Sequence, residues 1–220
     1  MIKAAFFDFN GTLYFDADIN KISWNKTIDR LSNGKIDFES FYPDNKAVMD
    51  YLCIKAAFKL LGEEKSDEEI EYWVQEKEKS YRQTCIDLKR DMLSAGAKEV
   101  LDYLKDNNVP MILVTSSIKE NVDFYFKNVQ LGNWFDRNEV VHDTGEYNSK
   151  TQMYLKAAQI ANVDIKDCVI FEDSPKSIRE AIETGCNKIV KLRDEPFDNK
   201  PLQIRQEIAD FTYLDYSIFE

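Results

Sequence analysis

The feature that most constrains the fold is a short apolar run, residues 4–7 (Ala-Ala-Phe-Phe), that ends abruptly at Asp8. Gly11 follows three residues later. The run predicts a fully buried strand whose carboxyl end breaks into a tight loop. Because ligands in open α/β sheets bind outside the carboxyl ends of the strands, Asp8 stands where chemistry is usually done. The alternative is that Asp8 merely caps the turn and Gly11 relieves backbone strain, and this segment alone does not separate the two.

Beyond this strand the predicted secondary structure changes twice along the chain. Residues 14–88 show helical periodicity and no run typical of a buried strand, whereas strands and helices alternate from about residue 93. Such alternation predicts a parallel sheet with helices on both faces. We therefore predict an α/β fold with a doubly wound (Rossmann-like) parallel sheet core, formed by residues 1–15 and 90–220. An all-helical domain at 16–89 is inserted into it.

The individual strands and helices are predicted from apolar runs, helical periodicity and helix-capping residues. The further predicted strands are 110–115, 139–141, 167–173, 188–192 and an edge strand at 210–213. The predicted helices of the core are 98–107, 151–161, one opened by a capping box at Ser117 and Glu120, and one opened by Ser174 with Pro175.

Periodicity also predicts which residues of the helical segment are buried. Residues 16–33 predict one helix. A second ends at Gly62, and its predicted apolar face is Met49, Leu52, Cys53, Ala56 and Leu60. A third opens with a capping box of Ser66 and Glu69, and its predicted apolar face is Ile70, Trp73, Val74 and Tyr81. The charged run 63–79 is interpreted as the solvated side of these helices.

Composition excludes several classes of partner. Forty acidic against 29 basic residues give a net charge of −11, which repels nucleic acid and anionic membranes. The four cysteines form no Cys-x-x-Cys pair and predict free thiols in a reducing cytosol. No apolar stretch reaches membrane-spanning length, and Asp8 interrupts the first run too early for a signal peptide. We expect a soluble, cytoplasmic protein that is a monomer or a weak dimer.

Polar groups follow three predicted strands, all on the same expected edge of the sheet. They are Asp8, Thr115 and the pair Glu172-Asp173, and Lys150 lies shortly before the last strand. Each has a simpler interpretation as a turn former, a helix cap or a surface charge. All of them in this order favour phosphoryl transfer, in which a carboxylate attacks phosphorus and a second carboxylate helps to hold Mg²⁺. A hydroxyl and an ammonium then bind the phosphate charge.

These motifs resemble those of the haloacid dehalogenase-like hydrolase superfamily. Residues 8–13 (Asp-Phe-Asn-Gly-Thr-Leu) resemble its motif I and residues 114–116 its motif II. Lys150 resembles the motif III lysine, although Thr151 stands where the family usually has proline. Residues 171–175 with Gly185 resemble the acidic motif IV. The helical insertion is similar to the cap of the β-phosphoglucomutase and phosphoglycolate phosphatase branch.

The resemblance implies a role for each matching residue. Asp8 would be the nucleophile and a Mg²⁺ ligand. Thr115, with Ser116, would bind the transferring phosphate, and Lys150 would pair with both phosphate and nucleophile. Asp173 would hold the metal, directly or through water, with Glu172 supporting, and position 10 would add its backbone carbonyl.

Asn10 departs from the family pattern. The family has its general acid/base aspartate there, and an amide cannot supply a proton. Dehalogenases also lack that aspartate, but they lack the paired acids of motif IV as well. A phosphonatase would need a Schiff-base lysine in the cap, and nothing singles out Lys21, Lys26, Lys46 or Lys55. His142, the only histidine, lies in a predicted loop, and an exposed or structural role is favoured over proton transfer.

The predicted function is a Mg²⁺-dependent phosphatase of a small phosphorylated metabolite, slow because of Asn10. The alternatives are a sugar-phosphate mutase and a catalytically weak phosphate-binding protein. The cap is expected to move as a lid, with hinges near Phe15 and at residues 94–96. The substrate does not follow from the sequence.

Overall fold

A computed structural model describes residues 1–45, 49–193 and 200–220 of the chain. The chain forms two compact units. The core unit consists of Met1–Phe15 and Met92–Glu220, and the helical unit consists of Asp16–Asp91. In the part of the chain that the structure describes, no helix is both long and apolar enough to cross a membrane.

The core unit is built on a six-stranded sheet in which all pairings are parallel. The strands are β1 (Ala4–Phe7), β2 (Met111–Ile118), β3 (Val141–Asp143), β4 (Cys168–Glu172), β5 (Lys188–Leu192) and β6 (Ile204–Ile208). Their order across the sheet is β3-β2-β1-β4-β5-β6. This is the doubly wound order, so the predicted α/β fold class is confirmed.

β1 lies in the middle of the sheet and is buried on both faces. All four of its residues are fully buried, which explains why its sequence is continuously apolar rather than alternating. Phe6 packs on one face, in the core cluster that includes Tyr154 of α7 and Ile178 of α8. Phe7 points to the other face and stacks on Phe171 of β4, with ring centroids 4.5 Å apart.

Four helices belong to the core unit as described. They are α5 (Ala97–Asp106), α6 (Lys119–Asn128), α7 (Lys150–Ala161) and α8 (Pro175–Glu183). The predicted start of α8 is confirmed, because the Ser174 side chain accepts a hydrogen bond from the backbone N–H of Ser177 and Pro175 occupies the first turn.

The core differs from the sequence prediction at three strands. β2 runs on to Ile118, so Ser117 is part of a strand and caps no helix, and the predicted capping box is wrong. β3 begins two residues later than predicted. The edge strand is β6, whereas Phe211–Tyr213 is a 3-10 turn in which the Asp210 carboxylate accepts from the backbone N–H of Thr212. A local polar turn therefore replaced the extended conformation expected there.

The helical unit contains four described helices. They are α1 (Ala17–Ser32), α2 (Phe38–Asn45), α3 (Asp50–Leu60) and α4 (Asp67–Asp87). The capping box of Ser66 and Glu69 is confirmed, with both of its hydrogen bonds present. Ile70 and Tyr81 of α4 are buried as predicted.

The buried face of α3 is not the predicted one. Met49, Leu52 and Leu60 are exposed, whereas the buried residues of α3 are Cys53, Ile54, Ala57 and Phe58. These pack with residues of α1, α2 and α4, among them Trp24, Phe41 and Ile70. The apolar pattern of α3 is wide enough for two faces, and its neighbours in the fold select between them.

The charged run 63–79 is not wholly solvated either, because Lys77 is buried on α4. In the core, Leu155 of α7 is 41% exposed.

Candidate active site

The candidate site lies where the direction of strand succession reverses. β1, β2 and β3 follow one another to one side of the sheet, and β4 then returns to the other side of β1. Ligands bind at such a switch point, outside the carboxyl ends of the strands. Asp8 directly follows β1, and its backbone N–H donates to the carbonyl of Phe171 at 3.0 Å. Because Phe7 pairs with Phe171, Asp8 lies level with Glu172, the last residue of β4.

Lys150 joins the two strand ends. Its Nζ donates to Asp8 Oδ1 at 2.5 Å, to Glu172 Oε1 at 2.7 Å and to the carbonyl of Val114 at 3.3 Å. All three ammonium protons therefore have an acceptor, which fixes the side chain in one position. Lys150 is the first residue of α7, and its backbone N–H donates to Glu180 Oε2 of α8 at 2.9 Å.

Glu172 is fully occupied by protein partners. Oε1 accepts from Lys150 and, at 3.0 Å, from the hydroxyl of Tyr154. Oε2 accepts from the backbone N–H groups of Asp173 and Ser174 at 3.0 and 3.1 Å. Four donors hold this buried carboxylate in one orientation, so its geometry suits a support for its neighbours.

Asp173 packs against the loop that follows β1. Its Oδ1 accepts from the hydroxyl of Thr12 at 3.3 Å. Gly11 has φ +80°, and a Cβ at this position would lie 2.2 Å from Asp173 Oδ2. Glycine at position 11 is therefore required twice, by its backbone conformation and by the approach of the carboxylate.

Burial and mutual repulsion shape the electrostatics of the site. Burial raises the pKa of the Asp8 carboxyl well above its ordinary value; the Lys150 ammonium opposes the rise and Glu172 and Asp173 add to it. Burial, with the charge of Glu172, raises the pKa of Asp173 to about 7. Burial acts to lower the pKa of Lys150, but the Asp8 and Glu172 carboxylates raise it above its ordinary value, so it stays an ammonium.

The cluster suits a divalent cation. One carboxylate oxygen from each of Asp8, Glu172 and Asp173 lies within 4.8 Å of the other two. Three carboxyl groups lie beside a single ammonium in a largely buried place, their mutual repulsion favours a bound cation, and hard oxygen ligands are those that Mg²⁺ prefers. Since Glu172 already accepts four hydrogen bonds, Asp8 and Asp173 are the better direct ligands.

The predicted phosphate-binding residues lie at the end of β2. Thr115 is buried, and its hydroxyl oxygen accepts from the backbone N–H of Ser117 at 3.2 Å. Ser116 is exposed. The bond from Lys150 to Val114, the residue before Thr115, ties this strand end to the ion cluster.

Asn10 lies in a hydroxyl network that the sequence did not reveal. Its Oδ1 accepts from the Ser117 hydroxyl at 2.8 Å and from the Tyr125 hydroxyl at 3.3 Å. Its Nδ2 donates to the Tyr125 hydroxyl at 3.2 Å. The two hydroxyl oxygens are 3.1 Å apart.

His142 lies inside β3, so its predicted position in a loop is wrong. It pairs with Thr115 of β2, and its Nδ1 is 3.0 Å from the carbonyl oxygen of Asp143. Of the cap lysines considered for a Schiff base, Lys21 forms an ion pair with Glu39, Lys26 bonds to Thr84, and Lys55 lies over the ring of Tyr51. Lys46 lies outside the described residues.

Sequence reasoning missed Ser117, Tyr125 and Glu180. The pattern around Ser117 indicated a capping box, and the sequence around Tyr125 is typical of an amphipathic helix with an aromatic residue in the core. Glu180 matched a surface acid. Only their contacts with residues 30 to 115 positions away distinguish them.

A doubly wound parallel sheet with a buried lysine–carboxylate cluster at its switch point defines an α/β enzyme that binds a small ligand there. A family model described as haloacid dehalogenase-like hydrolase matches residues 2–185. The chain therefore belongs to the haloacid dehalogenase-like hydrolase family. This confirms the family predicted from the sequence. It also confirms the prediction that the protein is an enzyme of the haloacid dehalogenase-like class of phosphoric monoester hydrolases.

Solved structures support the same fold. A HAD hydrolase, family IA, variant 3, from Entamoeba histolytica HM-1:IMSS is 28% identical, with 99% of this chain and 97% of that chain covered and a TM-score of 0.84. A β-phosphoglucomutase from Clostridium difficile is 20% identical, with 99% and 95% covered and a TM-score of 0.72. A predicted phosphoglycolate phosphatase from Haemophilus somnus 129PT is 16% identical, with 96% and 95% covered and a TM-score of 0.72. The last two likenesses show the fold alone.

Proposed function

We propose that the protein is a Mg²⁺-dependent phosphatase that hydrolyses a small phosphorylated metabolite through an aspartyl-phosphate on Asp8. The observation that carries this proposal is the position of the Asp8 carboxylate. It follows the central strand, accepts a 2.5 Å hydrogen bond from Lys150 and lies beside two further acids. A carboxylate that a buried ammonium orients in this way can act as a nucleophile.

Each step of the reaction then falls to a named group. An Asp8 carboxylate oxygen forms a bond to phosphorus as the bond from phosphorus to the leaving oxygen breaks. Lys150, and Thr115 with Ser116 at the end of β2, bind the phosphate oxygens. Water then attacks the aspartyl-phosphate, which releases inorganic phosphate and restores Asp8.

Asp8, Asp173 and the backbone carbonyl of Asn10 would hold the Mg²⁺, with Glu172 supporting. When bound, the ion neutralises charge on the phosphate oxygens. Glu172 would position both Lys150 and the backbone of Asp173, since it bonds to each of them. We further propose that residues 16–89 form a cap domain, inserted in the sequence of a core domain of residues 1–15 and 90–220.

Hydrolysis of an aryl phosphate in the presence of Mg²⁺ tests the proposal. We expect turnover that Asp8→Asn abolishes, and a phosphoryl group on Asp8 that acid quench and mass spectrometry detect. Binding of phosphate without turnover would favour the phosphate-binding alternative, to which Asn10 lends support. Transfer of the phosphoryl group back to a sugar phosphate, faster than to water, would favour the mutase. Near-native turnover by Asp8→Asn would overturn both the phosphatase and the mutase, since each requires an aspartyl-phosphate on Asp8.

A further inference from the structure

Two hydroxyls form a hydrogen-bonded network with the Asn10 side chain. Asn10 is two residues from Asp8 and stands at the position of the family's acid/base aspartate. Its amide is neither a useful acid nor a useful base at neutral pH, whereas each of the two hydroxyls that bond to it can both donate and accept a proton. The Ser117 hydroxyl reaches Asn10 Oδ1 at 2.8 Å, so it lies within one hydrogen bond of the missing carboxyl.

The two hydroxyls differ in what surrounds them. Tyr125, on α6, is buried, and its ring stacks on that of Phe9 with centroids 4.0 Å apart. Phe9 stands between Asp8 and Asn10 in the chain, so this stack fixes the phenol relative to the nucleophile. Ser117, at the end of β2, is only half-buried and forms the outer member of the pair.

We propose that Ser117 and Tyr125 together carry out the proton transfer that Asn10 cannot. As the bond from phosphorus to the leaving oxygen breaks, the Ser117 hydroxyl gives its proton to that oxygen and receives the proton of the Tyr125 hydroxyl. The resulting tyrosinate then takes back a proton, again through Ser117, from the water that attacks the aspartyl-phosphate. One proton leaves and one returns, so no other reactant is needed.

The chemistry of the pair fits both steps. A phenol, which ordinarily ionises near pH ~10, is a stronger acid than the alcohol that an alkyl phosphate releases. Transfer to that leaving oxygen is therefore favourable, and the tyrosinate is a competent base for water. The Asn10 Nδ2, which donates to the Tyr125 oxygen at 3.2 Å, would stabilise the tyrosinate, whereas a carboxylate at position 10 would repel it.

This inference rests on the proposed function, and leaving-group dependence tests it. Tyr125→Phe and Ser117→Ala are each expected to lower kcat on alkyl phosphates by about 10²–10⁴-fold, the usual contribution of general acid–base catalysis. KM should change little. In single turnovers the aspartyl-phosphate should form from aryl phosphates, whose leaving groups need no proton, at near wild-type rates. The double variant should be no slower than either single one, because both hydroxyls serve one path.

Two further variants separate proton transfer from structure. Tyr14→Phe removes a hydroxyl from the other ring stacked on Phe9 and should leave the ratio of alkyl to aryl turnover unchanged. Asn10→Asp should restore alkyl turnover to Tyr125→Phe, because the new carboxyl supplies the proton directly, and such a rescue is not expected of a packing defect.

Equal losses in the rate of aspartyl-phosphate formation from alkyl and aryl substrates, or no loss with either, would overturn the relay. These results are distinguishable from failure of the proposed function. If the proposed function itself were wrong, the wild type would hydrolyse neither substrate class, or Asp8→Asn would remain active.

Discussion

Two lysines in this protein are equally buried but stand in different surroundings. Lys77 in the helical unit and Lys150 in the core unit each expose 7% of the side chain and each form ion pairs with two carboxylates. Lys77 pairs with Asp50 at 3.0 Å and Glu78 at 2.8 Å. Burial acts to lower the pKa of both lysines, and in both cases the neighbouring carboxylates raise it above its ordinary value.

The difference lies in the acids. Asp50 exposes 32% of its side chain, and the Lys77 Nζ also lies 5.2 Å from the ring centroid of Trp24. Asp8 and Glu172 expose 9% and 0%, and a third carboxylate, Asp173, lies beside them. The Lys77 cluster is thus close to complete in itself, whereas the Lys150 cluster has excess charge that a cation would offset. A buried ion pair alone therefore does not indicate a functional site.

The largest expected effect separates the two clusters by activity. Asp8→Asn should lower turnover of an aryl phosphate by on the order of 10⁴-fold or more, as loss of a nucleophile does. The matched change Asp50→Asn, also beside a buried lysine, should leave turnover nearly unchanged. Initial rates with saturating Mg²⁺ measure both. A comparable loss in Asp50→Asn would remove the distinction between the clusters.

The second effect separates them by stability. Lys77→Met should lower the free energy of unfolding by about 3 kcal/mol, the low end for breaking a buried ion pair, because Asp50 can be hydrated once the partner is gone. Urea unfolding measures this, and turnover by the folded fraction should persist. Lys150→Met, in contrast, should lose turnover. Unaltered stability in Lys77→Met would mean that its ion pairs contribute nothing net.

A third comparison uses the cation itself. At a Mg²⁺ concentration of 100 times Kd, the wild type should gain about 2.7 kcal/mol of stability by mass action. Asp173→Ala should lose most of this gain, and Asp50→Ala should keep it. Thermal unfolding with and without Mg²⁺ reports the difference. If all three proteins gain equally, the ion binds elsewhere.

The smallest effect concerns pH. The pKa of Asp173 is raised to about 7 without a cation, so the folded protein keeps a proton that the unfolded chain has lost. The stability of the cation-free protein that comes from this proton is therefore lost as pH rises toward 7. Protons compete with Mg²⁺, so its apparent affinity should fall by about tenfold per pH unit below pH ~7. Calorimetric titrations between pH 5.5 and 8 would show a flat profile if Asp173 does not bind the ion.

Much of the fold could be predicted from local patterns. The apolar run of β1, the acids that end β4 and the caps at Ser66 and Ser174 depend on residues within a few positions of one another. Local patterns failed where two outcomes had similar local free energies. The segment at Ser117 could open a helix or extend a strand, and residues 210–213 could form a strand or a turn.

The sequence by itself determined the fold class, the family and the acids at the strand ends, because burial of both sheet faces and breaks at strand ends are written in adjacent residues. Only the tertiary structure decided which face of α3 is buried, that Lys77 is an interior charge, and that Ser117 and Tyr125 meet Asn10. Each of these depends on partners far away in the chain; Lys150 and Asp8, for example, are 142 residues apart. Periodicity shows that a side chain can be buried, but the charge and shape of what it meets are set by the packing of distant elements.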